Sequence, residues 1–263
     1  MIKVENLVKR FGGIRAVDGC SLAVAKGSVT GLIGPNGAGK STLFNIIAGL
    51  LAPDQGTVWL DGEDVTGWPA HRLFRKGLAR TFQIAHEFGR MTVLENLMAV
   101  PARQSGERLV NAWLRWPAVR REEKGIRLRA EEVLAQLRID HVKHELAGNL
   151  SGGQKKLVEL ARTMMWQPKV VLLDEIGAGV NRTLLAEIAG EIERLNRDHG
   201  YTFFVIEHDM DLIARLCHPV IVMAEGRVLM QGSMADVRGD QAVIEAYLGG
   251  GKSGHDGVRR GAA

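Results

Sequence analysis

One segment constrains this chain more than any other, the eight residues GPNGAGKS from Gly34 to Ser41. The apolar, β-branched run from Val29 to Ile33 precedes it and predicts a buried strand. After the segment, apolar residues recur at helical spacing, at Leu43, Ile46, Ile47 and Leu50. A strand, a glycine-rich loop and a helix in this order predict a parallel α/β unit.

The spacing of glycine, lysine and serine in this loop is that of a phosphate-binding loop, G-x-x-x-x-G-K-[ST]. Glycines let the backbone wrap closely around phosphate groups, and the N–H groups of the loop and of the following helix present partial positive charge. Lys40 is then expected to reach the β- and γ-phosphates, and the Ser41 hydroxyl to bind Mg²⁺. Glycine is abundant in the whole chain, at 32 of 263 residues, which favours loops that bring bare backbone close to a ligand.

The composition excludes several classes of protein. Hydrophobic residues make up 46% of the chain and charged residues 24%, as in folded globular proteins rather than disordered ones. Met1–Glu5 carries charge where a signal peptide needs an apolar stretch, and no apolar run approaches the roughly 18 residues needed to cross a bilayer. We therefore expect a chain that is neither secreted nor membrane-spanning by itself, with Cys20 and Cys217 as reduced thiols in its core.

An acidic pair ends a second apolar run. Val170–Leu173 predicts a buried strand, and Asp174 and Glu175 follow it directly. Carboxylates at the open end of a parallel sheet lie where ligands bind. Because successive side chains diverge, Asp174 can bind a metal while Glu175 orients or deprotonates a water molecule. Taken alone, the pair is also compatible with an acidic helix N-terminus.

A second glycine-containing motif is Leu150-Ser151-Gly152-Gly153-Gln154. An apolar stripe at helical spacing begins directly after it, so that Ser151 is predicted to be a helix N-cap. Two glycines in a first turn cost up to about 1 kcal/mol each relative to alanine. This cost favours a second helix terminus at which bare backbone approaches an anion.

The rest of the sequence continues the α/β pattern around a helical middle. A helix is predicted over about 182–198, a strand over Tyr201–Ile206, and a hairpin around Glu225-Gly226. The region from about 85 to 165 is predicted to be a mainly helical subdomain inserted into the α/β part. The tail, residues 249–263, has nothing to pack and is predicted to be flexible.

These motifs, in this order, resemble the ATPase subunit of ABC transporters over about residues 1–248. The resemblance rests on the loop at 34–42, the motif at 150–154, the acidic strand end at 170–175 and Glu207-His208-Asp209 after a strand. It implies a single nucleotide-binding domain of the α/β class, the ABC ATPase fold. That fold has a RecA-like parallel-sheet core, an antiparallel β subdomain and an inserted helical subdomain.

The resemblance also implies ATP and Mg²⁺ as cofactors and a role for individual residues. Glu175 would be the catalytic base, His208 would contact the γ-phosphate, and Gln83 would act near Mg²⁺ and the transmembrane partner. Mg²⁺ would be held by Ser41, Gln83 and Asp174. Nucleotide contacts are implied for Phe11 (stacking on adenine), Gly34, Pro35, Asn36, Gly37, Ala38, Gly39, Lys40, Ser41, Thr42, Ser151, Gly153 and Gln154.

In this family two cassettes face each other head to tail, and each ATP lies between one chain's phosphate loop and the other's signature motif. The implied partners are two transmembrane permease subunits and a second ABC ATPase subunit, either a homologous chain or a second copy. A periplasmic or extracellular substrate-binding protein is an indirect partner, and no nucleic acid is implied. The implied location is the cytoplasmic face of the inner (plasma) membrane, as a peripheral protein.

Several of these residues have plainer alternatives. Phe11 is also compatible with a core position, Gln83 with a solvated loop amide, and His208 with the neighbourhood of a helix N-cap. The position of His208 after an apolar strand favours its functional interpretation. His141 and His144 lie three residues apart with no cysteine nearby, so we interpret them as solvated side chains rather than metal ligands.

The sequence departs from the commonest ABC pattern in ways that resemble one branch of the family. Ile176 stands where Pro usually follows the acidic pair, and Asn181 stands where Asp is common. With Arg80–Gln83 and Met91–Leu97, these variants look like the branch that takes up branched-chain amino acids. The implied function is the ATP-driven uptake of branched-chain or related hydrophobic amino acids.

Other functions stay open at this point. The same ATPase could serve urea or short amides, or export lipid of the lipopolysaccharide type, although that exporter would be expected to carry Pro and Asp where this chain has Ile176 and Asn181. A non-transport ABC protein acting on ribosomes or DNA usually carries two cassettes in one chain or long coiled coils. This sequence has one cassette and no heptads.

A basic segment lies between Pro101 and Ala130, where eight Arg and Lys residues accompany three Glu residues. The excess of five positive charges exceeds the formal net charge of the whole chain, +4. Trp113 and Trp116 lie in this segment, and we interpret them as covering helix surface because no nucleic-acid motif accompanies them. The segment is expected to face the permease or anionic lipid headgroups.

Overall fold

The computed structural model describes residues 1–81, 87–101, 104–105, 113, 116–178 and 180–249. The chain forms two compact units, one made of Met1–Ala70 and Phe204–Ala263, the other of His71–Phe203. In chain order the elements are β1 (Ile2–Phe11), β2 (Ile14–Val24), β3 (Val29–Ile33), α1 (Lys40–Ile47), β4 (Gln55–Leu60), β5 (Glu63–Asp64), α2 (Ala70–Lys76), β6 (Leu78–Arg80), α3 (Val93–Met98), α4 (Trp116–Gln136), α5 (Gly152–Met164), β7 (Val170–Asp174), α6 (Arg182–His199), β8 (Thr202–Ile206), α7 (Met210–Leu216), β9 (Val220–Ala224), β10 (Arg227–Gly232), α8 (Met234–Gly239) and α9 (Gln241–Gly249).

The first unit contains an antiparallel sheet with the strand order β2-β1-β4-β5. Ile2 of β1 lies opposite Val24 on one side and opposite Leu60 on the other. Ile2 and Val4 are buried, whereas Lys3 between them is exposed. This alternation is the pattern of a strand with one face in the core and the other in solvent.

A second set of strands in the first unit has the order β10-β9-β3-β8. β3 pairs with β9 in parallel, with Ile33 opposite Val222, and β9 and β10 form an antiparallel hairpin. All five residues of β3 are buried, as expected for a continuous apolar strand that is covered on both faces. Helix α1 packs on this set of strands, with the rings of Phe44 and Phe204 at a centroid distance of 4.8 Å.

The second unit combines a short parallel strand pair with helices. β6 pairs with β7, and Arg80 lies opposite Leu172. The helices α3, α4 and α5 contact one another. The apolar stripe predicted after Ser151 is buried in α5, at Leu157, Leu160, Ala161 and Met164. The helices of this unit therefore bury one face each, as amphipathic helices require.

The segments predicted from the sequence agree with the elements observed. The strand at Val29–Ile33 has the predicted bounds, the helix predicted over about 182–198 spans Arg182–His199, and β9 and β10 flank Glu225-Gly226. Helix α1 ends at Ile47 rather than at Leu50, because the Asn45 carbonyl accepts hydrogen bonds from the N–H groups that follow the helix. The predicted flexible tail lies outside the described residues from residue 250 onward.

Both cysteines are free and buried, as predicted. Burial raises the pKa of the Cys20 thiol and of the Cys217 thiol to about 12, so that both are protonated at neutral pH. Across the ranges described above, no helix combines the length and the apolar character that spanning a membrane requires.

A buried amide fixes the turn that leads into α3. The Asn96 Nδ2 atom donates to the carbonyl oxygens of Phe88 at 3.1 Å, Met91 at 3.3 Å and Thr92 at 2.9 Å, and its Oδ1 atom accepts from the Phe88 N–H at 2.8 Å. The side chain is 0% exposed. The three carbonyl oxygens also accept from backbone N–H groups of Met91, Asn96 and Ala147, so the Asn96 side chain adds a second set of hydrogen bonds to the turn and supplies the acceptor for the Phe88 N–H.

Replacing Asn96 by Ala is expected to lower the free energy of unfolding by about 3 kcal/mol, because the four hydrogen bonds of this side chain are lost and the Phe88 N–H loses its acceptor. Urea unfolding of the purified chain measures this loss. The matched control is Asn149→Ala, which removes an exposed amide of the same unit and should leave the unfolding midpoint unchanged. Equal midpoints for the two variants would contradict the role given to Asn96.

Candidate functional site

The glycine-rich loop lies in the first unit between β3 and α1, as predicted, and two of its glycines approach other backbone segments too closely for any side chain. Gly39 is the N-cap of α1 with φ 96°, and a Cβ there would lie 2.1 Å from the carbonyl oxygen of Ala16. A Cβ on Gly34 would lie 2.1 Å from the carbonyl oxygen of Met223. The loop therefore needs glycine at these positions to take its observed course.

Lys40 places a positive charge inside the same loop. Its side chain is buried, and its Nζ atom donates to the carbonyl oxygens of Gly34 at 2.8 Å and Pro35 at 3.0 Å. Ser41 is exposed and Thr42 is half-buried, both in the first turn of α1. The N–H groups of a first helical turn have no intrahelical partner, so this turn and the ammonium group together can bind an anion such as a phosphate.

Tyr247 of α9 also contacts this loop, a contact that the sequence analysis missed. The Gly34 N–H donates to the phenolic oxygen, which lowers the pKa of Tyr247, and burial raises it by more, so that the net shift is upward. The only signal in the sequence was the apolar side of the last helix. That signal does not identify which surface the helix covers.

Two further predicted residues lie in the first unit. Phe11 is 48% exposed at the end of β1, which excludes the alternative that it is a core residue. His208 is exposed and directly precedes Asp209, the N-cap of α7, whose carboxylate accepts from the N–H groups of Asp211 and Leu212. His208 is thus a helix N-cap neighbour at the end of β8, and this position leaves its imidazole accessible to a ligand.

In the second unit, Asp174 ends β7 as predicted and forms an ion pair that was not predicted. The Arg80 Nη2 atom lies 2.7 Å from the Asp174 Oδ2 atom, and the two side chains are only 13% and 10% exposed. The parallel register of β6 and β7 places Arg80 opposite Leu172, two residues before Asp174. The short strand β6 was not predicted, and no sequence pattern indicated this register.

Glu175 follows Asp174 with a positive φ of 50°, which lies in the left-handed region. The backbone therefore leaves the extended conformation of β7 at Glu175. Ile176 is buried, which explains why an apolar residue is acceptable after the acidic pair. Ser41 and Asp174 offer oxygen atoms, the donors that Mg²⁺ prefers. Among the described residues, no three His, Cys, Asp or Glu side chains gather as a metal site.

Ser151 is the N-cap of α5, as predicted, within a capping box. Its hydroxyl accepts from the Gln154 N–H, and the Gln154 side chain accepts from the Ser151 N–H at 3.0 Å. A Cβ on Gly153 would lie 1.8 Å from the Leu184 side chain, so packing against α6 gives a second reason for a glycine there. Asn181 caps α6 by accepting from the Leu184 N–H at 2.9 Å.

Gln83 lies outside the described residues.

The structure thus places the predicted residues in several separate groups. Within the first unit, the loop contains Lys40 and the strand ends carry Phe11 and His208. Within the second unit, Ser151 and Gln154 form one hydrogen-bonded group, and Asp174 and Glu175 form another at the end of β7.

Comparison with protein families gives two matches. The family described as ABC transporter matches residues 17–178, which include the glycine-rich loop, the motif at 150–154 and the acidic strand end. The family described as branched-chain amino acid ATP-binding cassette transporter matches residues 227–253, which include β10, α8 and α9.

Similar proteins cover nearly the whole chain. The high-affinity branched-chain amino acid transport ATP-binding protein BraF of Pseudomonas aeruginosa is 37% identical over 249 residues, 95% of this chain and 98% of that protein. The probable branched-chain amino acid transport ATP-binding protein LivG of Archaeoglobus fulgidus is 38% identical over 253 residues, 95% of each chain. The crystal structure of the ADP conformation of MJ1267, an ATP-binding cassette of an ABC transporter, matches 95% of this chain and 98% of its own with a TM-score of 0.82 and 38% identity.

Replacing Arg80 by Met is expected to lower the free energy of unfolding by about 3 kcal/mol, because the buried Asp174 carboxylate loses its cation. Urea unfolding of the nucleotide-free chain measures this loss. A second change, Asp174→Asn, should restore part of the stability to the Arg80→Met variant by removing the uncompensated charge. As a control, Arg197→Met breaks a solvent-exposed pair with Asp198 and should leave the midpoint unchanged. A stable Arg80→Met chain would show that the pair contributes little.

Proposed function

Since the chain belongs to the ABC transporter family, we propose that it is the ATP-hydrolysing subunit of an importer of branched-chain or related hydrophobic amino acids. The observation that carries this proposal is the extent of the similarity. The relatives named above are branched-chain amino acid transport ATP-binding proteins, and they match 95% of this chain. The separate match of residues 227–253 to a branched-chain amino acid cassette family supports the same cargo class.

In this proposal, the glycine-rich loop holds the phosphates of ATP. The segment Gly34–Thr42 supplies backbone N–H groups, except at Pro35, which has none, and at Gly34, whose N–H donates to Tyr247. The Ser41 and Thr42 hydroxyls lie in the same segment, and Lys40 supplies the cation for the β- and γ-phosphates. The bonds from Lys40 to the Gly34 and Pro35 carbonyls support this role, because they keep the ammonium group at the loop. The exposed ring of Phe11 stacks on adenine, and His208 contacts the γ-phosphate.

Glu175 is the proposed catalytic base. Its carboxylate accepts a proton from the water molecule that attacks the γ-phosphorus, and ADP and inorganic phosphate are the products. Ser41, Asp174 and Gln83 are the proposed Mg²⁺ ligands, and a bound Mg²⁺ neutralises charge on the phosphate oxygens. The position of Glu175 supports its separate role, because the chain leaves the extended conformation of β7 at this residue, directly after Asp174.

The motif at the start of α5 is proposed to serve a second cassette. Ser151, Gly153 and Gln154 would contact the nucleotide bound to the phosphate loop of the partner in a head-to-tail pair. The capping box supports this proposal because it pins the first turn of α5 and its N–H groups in one orientation. ATP binding would close the pair and hydrolysis would reopen it.

The proposed assembly contains two transmembrane permease subunits and a second ABC ATPase subunit, a homologous chain or a second copy of this one. A periplasmic or extracellular binding protein delivers the cargo. The chain would act as a peripheral protein at the cytoplasmic face of the inner membrane, with residues 1–248 as one nucleotide-binding domain and about 85–165 as its helical insertion. The segment from Gln83 to Arg90 would receive the permeases.

Replacing Glu175 by Gln is expected to keep ATP binding within a few-fold while hydrolysis falls by a factor of at least about 100, because the attacking water loses its base. Phosphate release and nucleotide titration of the purified chain measure the two quantities. Glu187→Gln, an exposed carboxylate of α6, is the control and should hydrolyse normally. Lys40→Ala should instead lose nucleotide affinity. Normal turnover by Glu175→Gln would remove this residue from catalysis.

The assembly and the cargo class are tested by purification of the tagged chain from its native membrane in mild detergent. Two permeases and a single-cassette ATPase should co-purify, and mass spectrometry identifies them. After reconstitution in vesicles with the associated binding protein, leucine, isoleucine or valine should stimulate ATP hydrolysis. Stimulation by urea or short amides alone would change the cargo, and recovery of only ribosomal or nucleic-acid components would refute the transport function.

A further inference from the structure

The first half of α4 presents a basic surface that the proposed ATPase function does not use. We define this basic face as Trp116, Arg120, Arg121, Lys124 and Arg127, all of which are exposed. Trp116 and the positions four and eight residues later lie along one side of a helix, and Arg127 lies on the same side one turn further on. The face therefore combines an aromatic ring with a row of cations.

The charges of this half of the helix are not balanced. Residues 116–127 contain four Arg or Lys and two Glu, a net charge of +2. One of the glutamates, Glu122, accepts hydrogen bonds from the Ser105 hydroxyl and backbone N–H. Arg121 donates to the Pro117 carbonyl, and Arg120 lies over the Trp116 ring at 5.6 Å from its centroid. These contacts leave the positive charge of the face in place.

The second half of the same helix is different, because its cations are paired. Arg127, at the junction, contacts Glu131 at 3.3 Å, and Arg129 contacts Glu132 at 2.8 Å. Within the described part of the chain, no carboxylate forms an ion pair with Arg120, Arg121 or Lys124. The uncompensated charge is thus confined to the first half.

Buried apolar residues of the same helix fix its rotation. Val119, Ala130, Val133 and Leu134 are buried in the core of the second unit. The helix cannot turn its cations inward without exposing these residues. Nearby, Trp113 is 89% exposed, and Trp116 is 52% exposed. Two large exposed aromatic side chains next to a row of cations indicate a surface that contacts a binding partner.

We propose that this basic face binds the anionic phospholipid headgroups of a membrane. Arg and Lys are attracted to the negative surface of a bilayer, and Trp prefers the boundary between its polar and apolar layers. The inference rests on the proposed function for the closeness of a membrane. A nucleic acid would also meet the cations, but the two tryptophans and the absence of a nucleic-acid motif in the sequence favour the bilayer.

The test is flotation of the full-length chain with vesicles of phosphatidylcholine alone, or of phosphatidylcholine mixed with phosphatidylglycerol. Binding is expected only to the anionic vesicles and should weaken as salt is added. Each cation near such a surface strengthens binding about fivefold, so the variant Arg120→Gln, Arg121→Gln, Lys124→Gln should bind on the order of 100-fold more weakly. These residues lie outside the nucleotide site, and ATP hydrolysis of the variant should be unchanged.

The control variant is Lys26→Gln, Arg197→Gln, Arg238→Gln, which removes three exposed positive charges elsewhere and has the same net charge. It should float like the unchanged chain. Tryptophan emission should shift to the blue on anionic vesicles, and the shift should disappear in Trp113→Phe, Trp116→Phe. Equal binding of the two triple variants, or no preference for anionic vesicles, would refute the proposal.

A third outcome assigns the face to another partner. If an RNA oligomer binds the chain more tightly than anionic vesicles at the same salt, and the triple glutamine variant loses this binding, the lipid proposal is wrong. The result is separable from the transport function. Loss of lipid binding with co-purifying permeases refutes only this inference, whereas absence of the permeases refutes the proposed function itself.

Discussion

The close approach of bare backbone at the glycine-rich loop is the constraint on which the first unit depends. Gly34 and Gly39 lie against carbonyl oxygens of Met223 and Ala16, which belong to β9 and β2. The loop thus lies between β2 of the antiparallel sheet and β9 of the second set of strands. In the same region, the Gly226 N–H donates to the Ala38 carbonyl. Any Cβ at the two glycines would force these strands apart.

This clamp has a chemical consequence, because contacts within the protein orient the start of α1. The loop already holds the Lys40 ammonium group by two of its own carbonyl oxygens. A site whose cation and N–H groups are positioned in advance loses little conformational entropy when an anion binds. The second unit follows the same principle at Asp174, whose carboxylate is held by Arg80. Buried charges in both units are therefore compensated inside the unit that contains them.

Much of the candidate site was predictable from the sequence because its signals are local. The N-cap at Ser151 needs only a hydroxyl, an amide three residues later and an apolar stripe, and all three are adjacent in the chain. The strand before Asp174 needs only a continuous apolar run. Arg80, Asn96 and Tyr247 escaped prediction because their partners are distant or are backbone atoms of a turn. No pattern of residues that are adjacent in the sequence indicates which strand lies beside β7.

By itself, the sequence determined the glycine-rich loop between a strand and a helix, the order of strands and helices and the family resemblance, since each depends on residue type and spacing along the chain. Only the tertiary structure decided that Arg80 neutralises Asp174, that Gly153 makes room for Leu184, and that Arg127 of α4 pairs with Glu131. These outcomes depend on strand register and on the relative rotation of packed helices. Both are set by the summed packing of many side chains, which no single motif encodes.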